Sequence, residues 1–176
     1  CARIYAKGLS KPRGIFFLDE KRILVIEAGK NQVTLVKDLN QNHKIDTNEF
    51  KVMAKAKGIN HGLYVFARFV YASSSTTVYR WSYSSVSSDI VFGPRQVVIA
   101  GIPAGGHWTR TLVFDSSGNL YVSIGSAGNV DRDSSRARIV RFSSDQLKKI
   151  PLKWNDGEVF ADGLRNEVGL AFDSKE

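Results

Sequence analysis

The stretch GGHWTRTLVFDSSGNLYVSIG, Gly105 to Gly125, reads as two strands, Thr111 to Phe114 and Leu120 to Ile124, around the turn Asp115-Ser116-Ser117-Gly118-Asn119. Small polar residues with one Gly suit a tight turn that needs a positive φ, so the segment predicts a β-hairpin. His107 and Arg110 precede the first strand in a Gly-rich loop. A loop entering a strand sits at a sheet rim, where binding and catalytic groups concentrate.

The same pattern, a Gly, then Gly-Leu or Gly-Ile and an aromatic, recurs along the chain. GLSKPRGIFF starts at Gly8, GINHGLYVF at Gly58, HWTRTLVF at His107 and, more loosely, GLRNEVGLAF at Gly163. The copies are about 50 residues apart, and each is followed by β-branched runs broken by Gly, Ser, Asn or Asp. Strands are expected at Arg22 to Glu27, Gln32 to Lys37 and Phe50 to Ala54 in the first unit. In the second they are expected at Phe69 to Ala72, Thr77 to Tyr83 and Gln96 to Ala100, with Ser84 to Asp89 as a polar connector. The third unit adds Ala137 to Phe142 after a charged loop, Val130 to Arg136. Helical periodicity is nearly absent.

These spacings predict an all-β fold, a β-propeller of four-stranded blades rather than a sandwich, because a repeat near 50 residues holding several strands is a blade. Residues 1–176 are read as a single partial propeller domain with units starting near 8, 58, 107 and 163. About four blades are the minimum for a closed ring. Three and a fragment therefore require missing blades or another chain. An opening Cys1 without Met and an end at AFDSKE fit a processed or partial piece of something longer.

Composition is that of a globular protein, 43% hydrophobic and 24% charged over 176 residues. No apolar run approaches the roughly 18 residues of a membrane-spanning helix. A basic-then-apolar leader is also lacking, as it would be after cleavage of a signal. The net charge of +8 raises the question of nucleic acid, but Lys and Arg are scattered, with Lys21-Arg22 and Lys148-Lys149 in turns, and no specific nucleic-acid partner is expected. Cys1, the single cysteine, has no internal partner for a disulfide.

Several residues carry candidate chemistry. DLNQNHKIDTNEF, Asp38 to Phe50, places Asp38, Asn40, Asn42, Asp46 and Glu49 at positions 1, 3, 5, 9 and 12 of an EF-hand-type loop, with the Lys44 carbonyl at position 7 and Ile45 at position 8. His43 stands at position 6, where a sharp turn normally takes Gly. The alternative is an Asn-rich turn that binds nothing. His107 has the titration range of a general base, and Arg110 nearby can bind an anion; the alternative is a loop histidine satisfied by backbone carbonyls. His61 occupies the equivalent loop of the second unit, and Arg165-Asn166 offers a cationic fork and an amide in the fourth. With Pro12-Arg13, Asn60-His61 and Thr109-Arg110, polar groups recur at one rim and suggest a small-molecule pocket. Ile23, Val25, Leu120, Val122 and Ile139 read as core, and Trp81, Trp108 and Trp154 as packing between blades or at rims. Phosphate loops, CxxC pairs and GxSxG elbows are absent.

GGHWTRTLVFDSSGNLYVSIGS followed by GLRNEVGLAF resembles the glucose/sorbosone dehydrogenase family, six-bladed propellers that use pyrroloquinoline quinone (PQQ), and the resemblance spans essentially the whole chain. It implies that His107 is the general base taking the proton of a sugar hydroxyl while hydride passes to the quinone. It also implies that Arg165 and Asn166 contact the cofactor and that Ca2+ polarises the quinone; Arg110, as the anion-binding group beside His107, is expected to serve the cofactor with them. Further basic residues of later blades would hold the cofactor carboxylates. Glu167 departs from the family, which commonly has Pro after Arg-Asn. Two readings follow. One is a secreted PQQ-dependent sugar or aldose dehydrogenase with a sugar substrate and a separate electron acceptor; the alternative is a non-catalytic, calcium-stabilised propeller that binds a glycan or protein.

Overall fold

In the computed structural model the described residues are 2–86, 89–133 and 135–173. Cys1 lies outside them. The first sheet is an antiparallel meander, β1 (Pro12–Phe17), β2 (Arg22–Glu27), β3 (Gln32–Lys37) and β4 (Phe50–Lys55), in that spatial order. β5 (Leu63–Phe66), β6 (Phe69–Ser73), β7 (Thr77–Val86) and β8 (Asp89–Ala100) repeat it. The third sheet contains β9 (Leu112–Phe114), β10 (Leu120–Ile124) and β11 (Arg138–Phe142). β12 (Leu152–Lys153) then leaves to pair in parallel with β8, and β13 (Glu158–Ala161) returns as the fourth strand beside β11.

Alternation of side chains across each strand builds the packing between sheets. Leu24 and Ile26 of β2 and Val33 and Leu35 of β3 face Leu63, Val70, Ala72, Trp81 and Ile90 of the second sheet. On the other side of that sheet, Tyr71, Val78, Val98 and Ile99 meet Leu112, Phe114, Leu120, Val122 and Phe142 of the third. Phe66 stacks on Phe114 with centroids 4.5 Å apart, which locks the second and third sheets near their first strands. β1 neighbours β5, and β5 neighbours β9, so the first strand of each meander lies innermost. Three such sheets, the second extended by β12 as a fifth strand, stack face to face about a common inner edge as blades of a β-propeller.

The opposite face of the first sheet, Ile23, Val25 and Val36, is covered in part by Tyr5, Ala6 and Leu9 of the N-terminal segment and by Ile45. Ile4, Ile15 and Phe17 stay exposed there. Trp81 and Trp154 are buried between sheets, whereas Trp108 stands exposed at the rim. One expectation is corrected. Ser84 to Asp89 is not a polar connector throughout, since Ser84 pairs with Val91, Ser85 with Ile90 and Val86 with Asp89 in a continuing β7–β8 hairpin. Backbone ladder bonds hold this extension without an apolar code in the side chains.

Candidate functional site

The loop between β8 and β9 carries His107. Gly106 has φ +61, and a Cβ there would lie 2.4 Å from Ala127 Cα and 2.5 Å from Ser126 O, so the loop backbone rests directly on residues 126–127. The His107 N–H donates to Ser126 O at 3.0 Å in the same place. Ser126 N donates in turn to Arg165 O at 2.7 Å. Gly125, at the end of β10, completes the arrangement. A Cβ on it would stand 2.6 Å from His107 Cβ, 3.1 Å from Asn166 Oδ1 and 3.2 Å from Arg165 O. Two segments far apart in sequence, His107 and Arg165-Asn166, therefore meet around one hydrogen-only position.

His107 Nε2 is buried and has no hydrogen-bond partner among the described residues. The alternative of a loop histidine satisfied by carbonyls does not hold for that nitrogen. His107 borders a cavity of about 140 Å³ with Arg13, Trp108, Thr109, Asn166 and Val168. The Arg13 guanidinium lies 5.6 Å from the Trp108 ring centroid, a cation–π contact that closes one side. Arg165 lines a second, larger recess of about 540 Å³ with Ser126, Asn129, Arg136 and three aspartates, Asp131, Asp133 and Asp162. Its guanidinium donates to Asn129 Oδ1.

Arg110 requires a correction. It is fully buried, with Nε donating to Ser75 O (3.1 Å), Nη1 to His107 O (2.8 Å) and Thr109 O (2.7 Å), and Nη2 to Pro103 O (2.8 Å). Desolvation, reinforced by the charge of Arg136, lowers it to about 10. Four of its five N–H groups are spent on backbone carbonyls and the side chain is fully buried, so it does not reach a bound anion. His61 is likewise engaged. Its Nε2 donates to Val168 O at 2.9 Å, which leaves Nδ1 to accept from Arg13 Nη2 at 3.5 Å. Burial first, then the Arg13 charge, lowers its pKa. Glu167, beside Asn166, keeps a buried, unpartnered Oε2; burial raises its pKa, and the His107 charge works against that rise.

The calcium-type loop folds on itself. Asp38 accepts from the N–H groups of Asn42 (3.2 Å) and His43 (3.0 Å), Asn40 Oδ1 from Asn42 N (3.1 Å) and Asn42 Oδ1 from Lys44 N (2.8 Å). Glu49 accepts from Leu39 N (2.7 Å) and Asp46 N (2.8 Å). His43 adopts φ 60 and so supplies the left-handed turn for which Gly was expected. Ile45 is buried and donates its N–H to Tyr5 O at 2.8 Å, tying the loop to the N-terminal segment. The oxygen donors suit Ca2+ in kind. Among the described residues, though, no three His, Cys, Asp or Glu side chains stand close enough together to hold a metal ion.

An unpartnered histidine nitrogen, an arginine and an asparagine thus stand together at one rim of a stack of propeller blades. The chain belongs to the TrAA12-like family, which it matches over residues 1–176. It is 32% identical over 181 residues to the pyrroloquinoline quinone-dependent pyranose dehydrogenase of Coprinopsis cinerea, covering 94% of this chain and 24% of that protein. Its fold is similar to the holo form of the PQQ domain of pyranose dehydrogenase from that organism, with a TM-score of 0.79, 29% identity and coverage of 93% and 41% of the two chains. A calcium structure of the Trichoderma reesei AA12 carbohydrate-active enzyme gives a TM-score of 0.81 at 27% identity, covering 95% of this chain and 44% of that one. The chain thus spans about a quarter of the curated relative and less than half of each solved chain.

The fold brings together His107, Arg165 and Asn166, the residues singled out in the sequence. Arg136, in a charged loop with no periodic or motif signal, and Gly125, for which its place after an apolar strand was the available clue, were not singled out.

Proposed function

We propose that this chain is the His107-bearing part of a PQQ-dependent dehydrogenase that oxidises a sugar hydroxyl. The observation that carries the reading is the buried, unpartnered His107 Nε2 held against Asn166 and Arg165 around Gly125. Both Arg165 and Asn166 are exposed, and a guanidinium fork and an amide are the groups that bind carboxylates and carbonyl oxygens, so these residues fit the cofactor. When bound, PQQ supplies the hydride acceptor and Ca2+ the Lewis acid that polarises it.

His107 Nε2 takes the hydroxyl proton of the sugar as its carbon is oxidised, a role for which a neutral imidazole is suited. Arg165 and Asn166 bind and orient the cofactor edge. Trp108 and Arg13 wall the side of the cavity and limit water. Ca2+ binding by Asp38, Asn40, Asn42, the Lys44 carbonyl, Asp46 and Glu49 is a separate, stabilising part of the proposal. We place the protein outside the cell and read residues 1–176 as one partial propeller domain, with units beginning near 8, 58, 107 and 163. Further blades, in the same protein or another chain, close the ring and supply the remaining cationic groups. A separate electron acceptor reoxidises the cofactor.

The test is reconstitution of the longest natural form with PQQ and CaCl2, following cofactor absorbance and dye reduction with a panel of aldoses. Saturable binding with sugar-dependent reduction is expected, and His107→Ala should abolish turnover while leaving the folded structure intact. A folded full-length protein that binds no quinone would overturn the reading in favour of a glycan- or protein-binding propeller.

A further inference from the structure

The loop that presents His107 is held by two buried guanidinium groups. Arg110 donates to the carbonyls of Pro103, His107 and Thr109, as described above. Arg136, 5% exposed, comes from the connection between β10 and β11. Its Nη1 donates to Ala104 O at 2.7 Å and its Nη2 to Gly105 O at 2.5 Å. The carbonyls of Pro103, Ala104, Gly105, His107 and Thr109 are thereby fixed by two side chains, and the Arg110 Nε tether to Ser75 O anchors the assembly to the second blade.

This is a costly way to hold a loop. A buried cation loses its hydration, and two like charges placed near each other add repulsion, so only well-aligned carbonyl dipoles make the pair tolerable. Among the described contacts neither guanidinium has a carboxylate within ion-pair distance, although Asp131 and Asp133 share the recess that Arg136 borders. Simple loop closure would be satisfied by water at a rim of this kind. Successive carbonyls at 104 and 105 instead need a planar fork, which Arg offers and Lys does not. Both adjacent positions are glycines with positive φ, Gly105 at 84° and Gly106 at 61°, so the unclamped backbone has wide freedom.

We propose that Arg136 and Arg110 are positioning residues for His107: together they set the height and orientation of the imidazole over Gly125. This rests on the reading of His107 as the base, but it makes a claim about the loop that stands apart from turnover. The decisive variant is Arg136→Lys, which keeps the charge and loses the fork, with Arg136→Gln beside it. In the full-length protein, exchange of the His107 amide, bonded to Ser126 O, should accelerate at least about tenfold, while amides of β10 and β11 keep their protection. The His107 ring resonances should shift or broaden. In the reconstituted enzyme kcat should fall about 10- to 100-fold with little change in quinone affinity, the expected result of a misplacement near 1 Å.

Native exchange at His107 together with kcat within twofold in both variants would overturn the proposal. Failure of both variants to fold would also overturn it, by making Arg136 a determinant of the fold. If the wild-type protein shows no quinone chemistry, the exchange and resonance changes still decide the positioning claim, so the two failures are distinguishable.

Discussion

Gly125→Ala isolates the site more cleanly than removal of any functional group, because it adds one methyl and deletes nothing. The φ of Gly125 lies outside the left-handed region, so alanine meets no backbone strain there. What it meets is His107: the new Cβ falls 2.6 Å from His107 Cβ, where carbon atoms normally rest about 3.5–4.0 Å apart. The deficit is about 1 Å. It cannot be absorbed by a flexible side-chain tip, since the obstructing atom is the Cβ of a residue whose carbonyl is clamped by Arg110 and whose N–H is bonded to Ser126 O. Overpacking of this kind costs about 1–3 kcal/mol, a shift of a few degrees in Tm for a protein of this size or larger. A displacement near 1 Å at the reacting group costs about 100-fold in rate. Gly157→Ala is the control. Its Cβ would collide with Val140 Cγ1 at 2.3 Å and Phe142 Cζ at 2.7 Å, a clash of the same kind in the core rather than at the rim. Calorimetry with steady-state dye reduction on the reconstituted full-length protein should find both variants destabilised and only Gly125→Ala strongly slowed. Equal turnover in the two variants would refute the assignment of His107 to the reacting centre.

Three further outcomes are expected. Glu167 has a folded pKa raised by burial, so the folded state favours its neutral form; stability is intact below the unfolded value, about pH 4, and is lost as pH rises through the folded value. Glu167→Gln should therefore match the native protein in acid and exceed it at neutral pH in thermal melts, and a variant less stable at pH 7 would contradict this account. Glu49→Gln replaces one of two oxygens that accept from Leu39 N and Asp46 N, and should cost about 1–3 kcal/mol without calcium and remove any calcium-dependent rise in Tm. Phe142→Ala empties a fully buried position between β11 and Trp154, whose ring centroid is 6.1 Å away, and should cost about 3–5 kcal/mol in denaturant titrations.

Strands buried on both faces were the most legible part of the fold. β2, β3 and β10 run over the expected residues because Arg22 to Glu27, Gln32 to Lys37 and Leu120 to Ile124 are nearly continuous apolar or β-branched runs bounded by turn residues. The inner strands β1 and β5 were visible only as blade-start patterns, since Pro12, Arg13 and Gly14 dilute the first and the second is four residues long. β12 was silent. A two-residue parallel pair with β8 leaves no pattern in sequence. At the site, His107, Arg165 and Asn166 were legible as a motif. Arg110 was legible as an arginine but not as a buried one, because burial of a cation is decided by carbonyls contributed from Ser75 to Thr109, none of which a side-chain pattern encodes.

The way the rim is fastened explains how Glu167 is accommodated where the glucose/sorbosone dehydrogenase pattern commonly has proline. The segment 165–168 is attached through its backbone oxygens: Arg165 O to Ser126 N, Glu167 O to Thr111 Oγ1 (3.1 Å) and Ser123 Oγ (3.0 Å), and Val168 O to Thr111 Oγ1 (2.9 Å) and His61 Nε2 (2.9 Å). Carbonyl oxygens are common to every residue type, proline included, so this attachment is indifferent to the side chain at 167. Thr111, Ser123 and His61 carry the fixed part of the design, and His61 must stay neutral at Nδ1 to go on accepting from Arg13. Its lowered pKa has the matching sign: the contact is present above the unfolded pKa and is lost as pH falls through the folded one. With the backbone held in this way, the side chains of Arg165, Asn166 and Glu167 are free to be selected for what they meet at the mouth of the ring. Burial raises the pKa of Glu167 there, and the charge of His107, whose Nε2 is unpartnered, works against that rise.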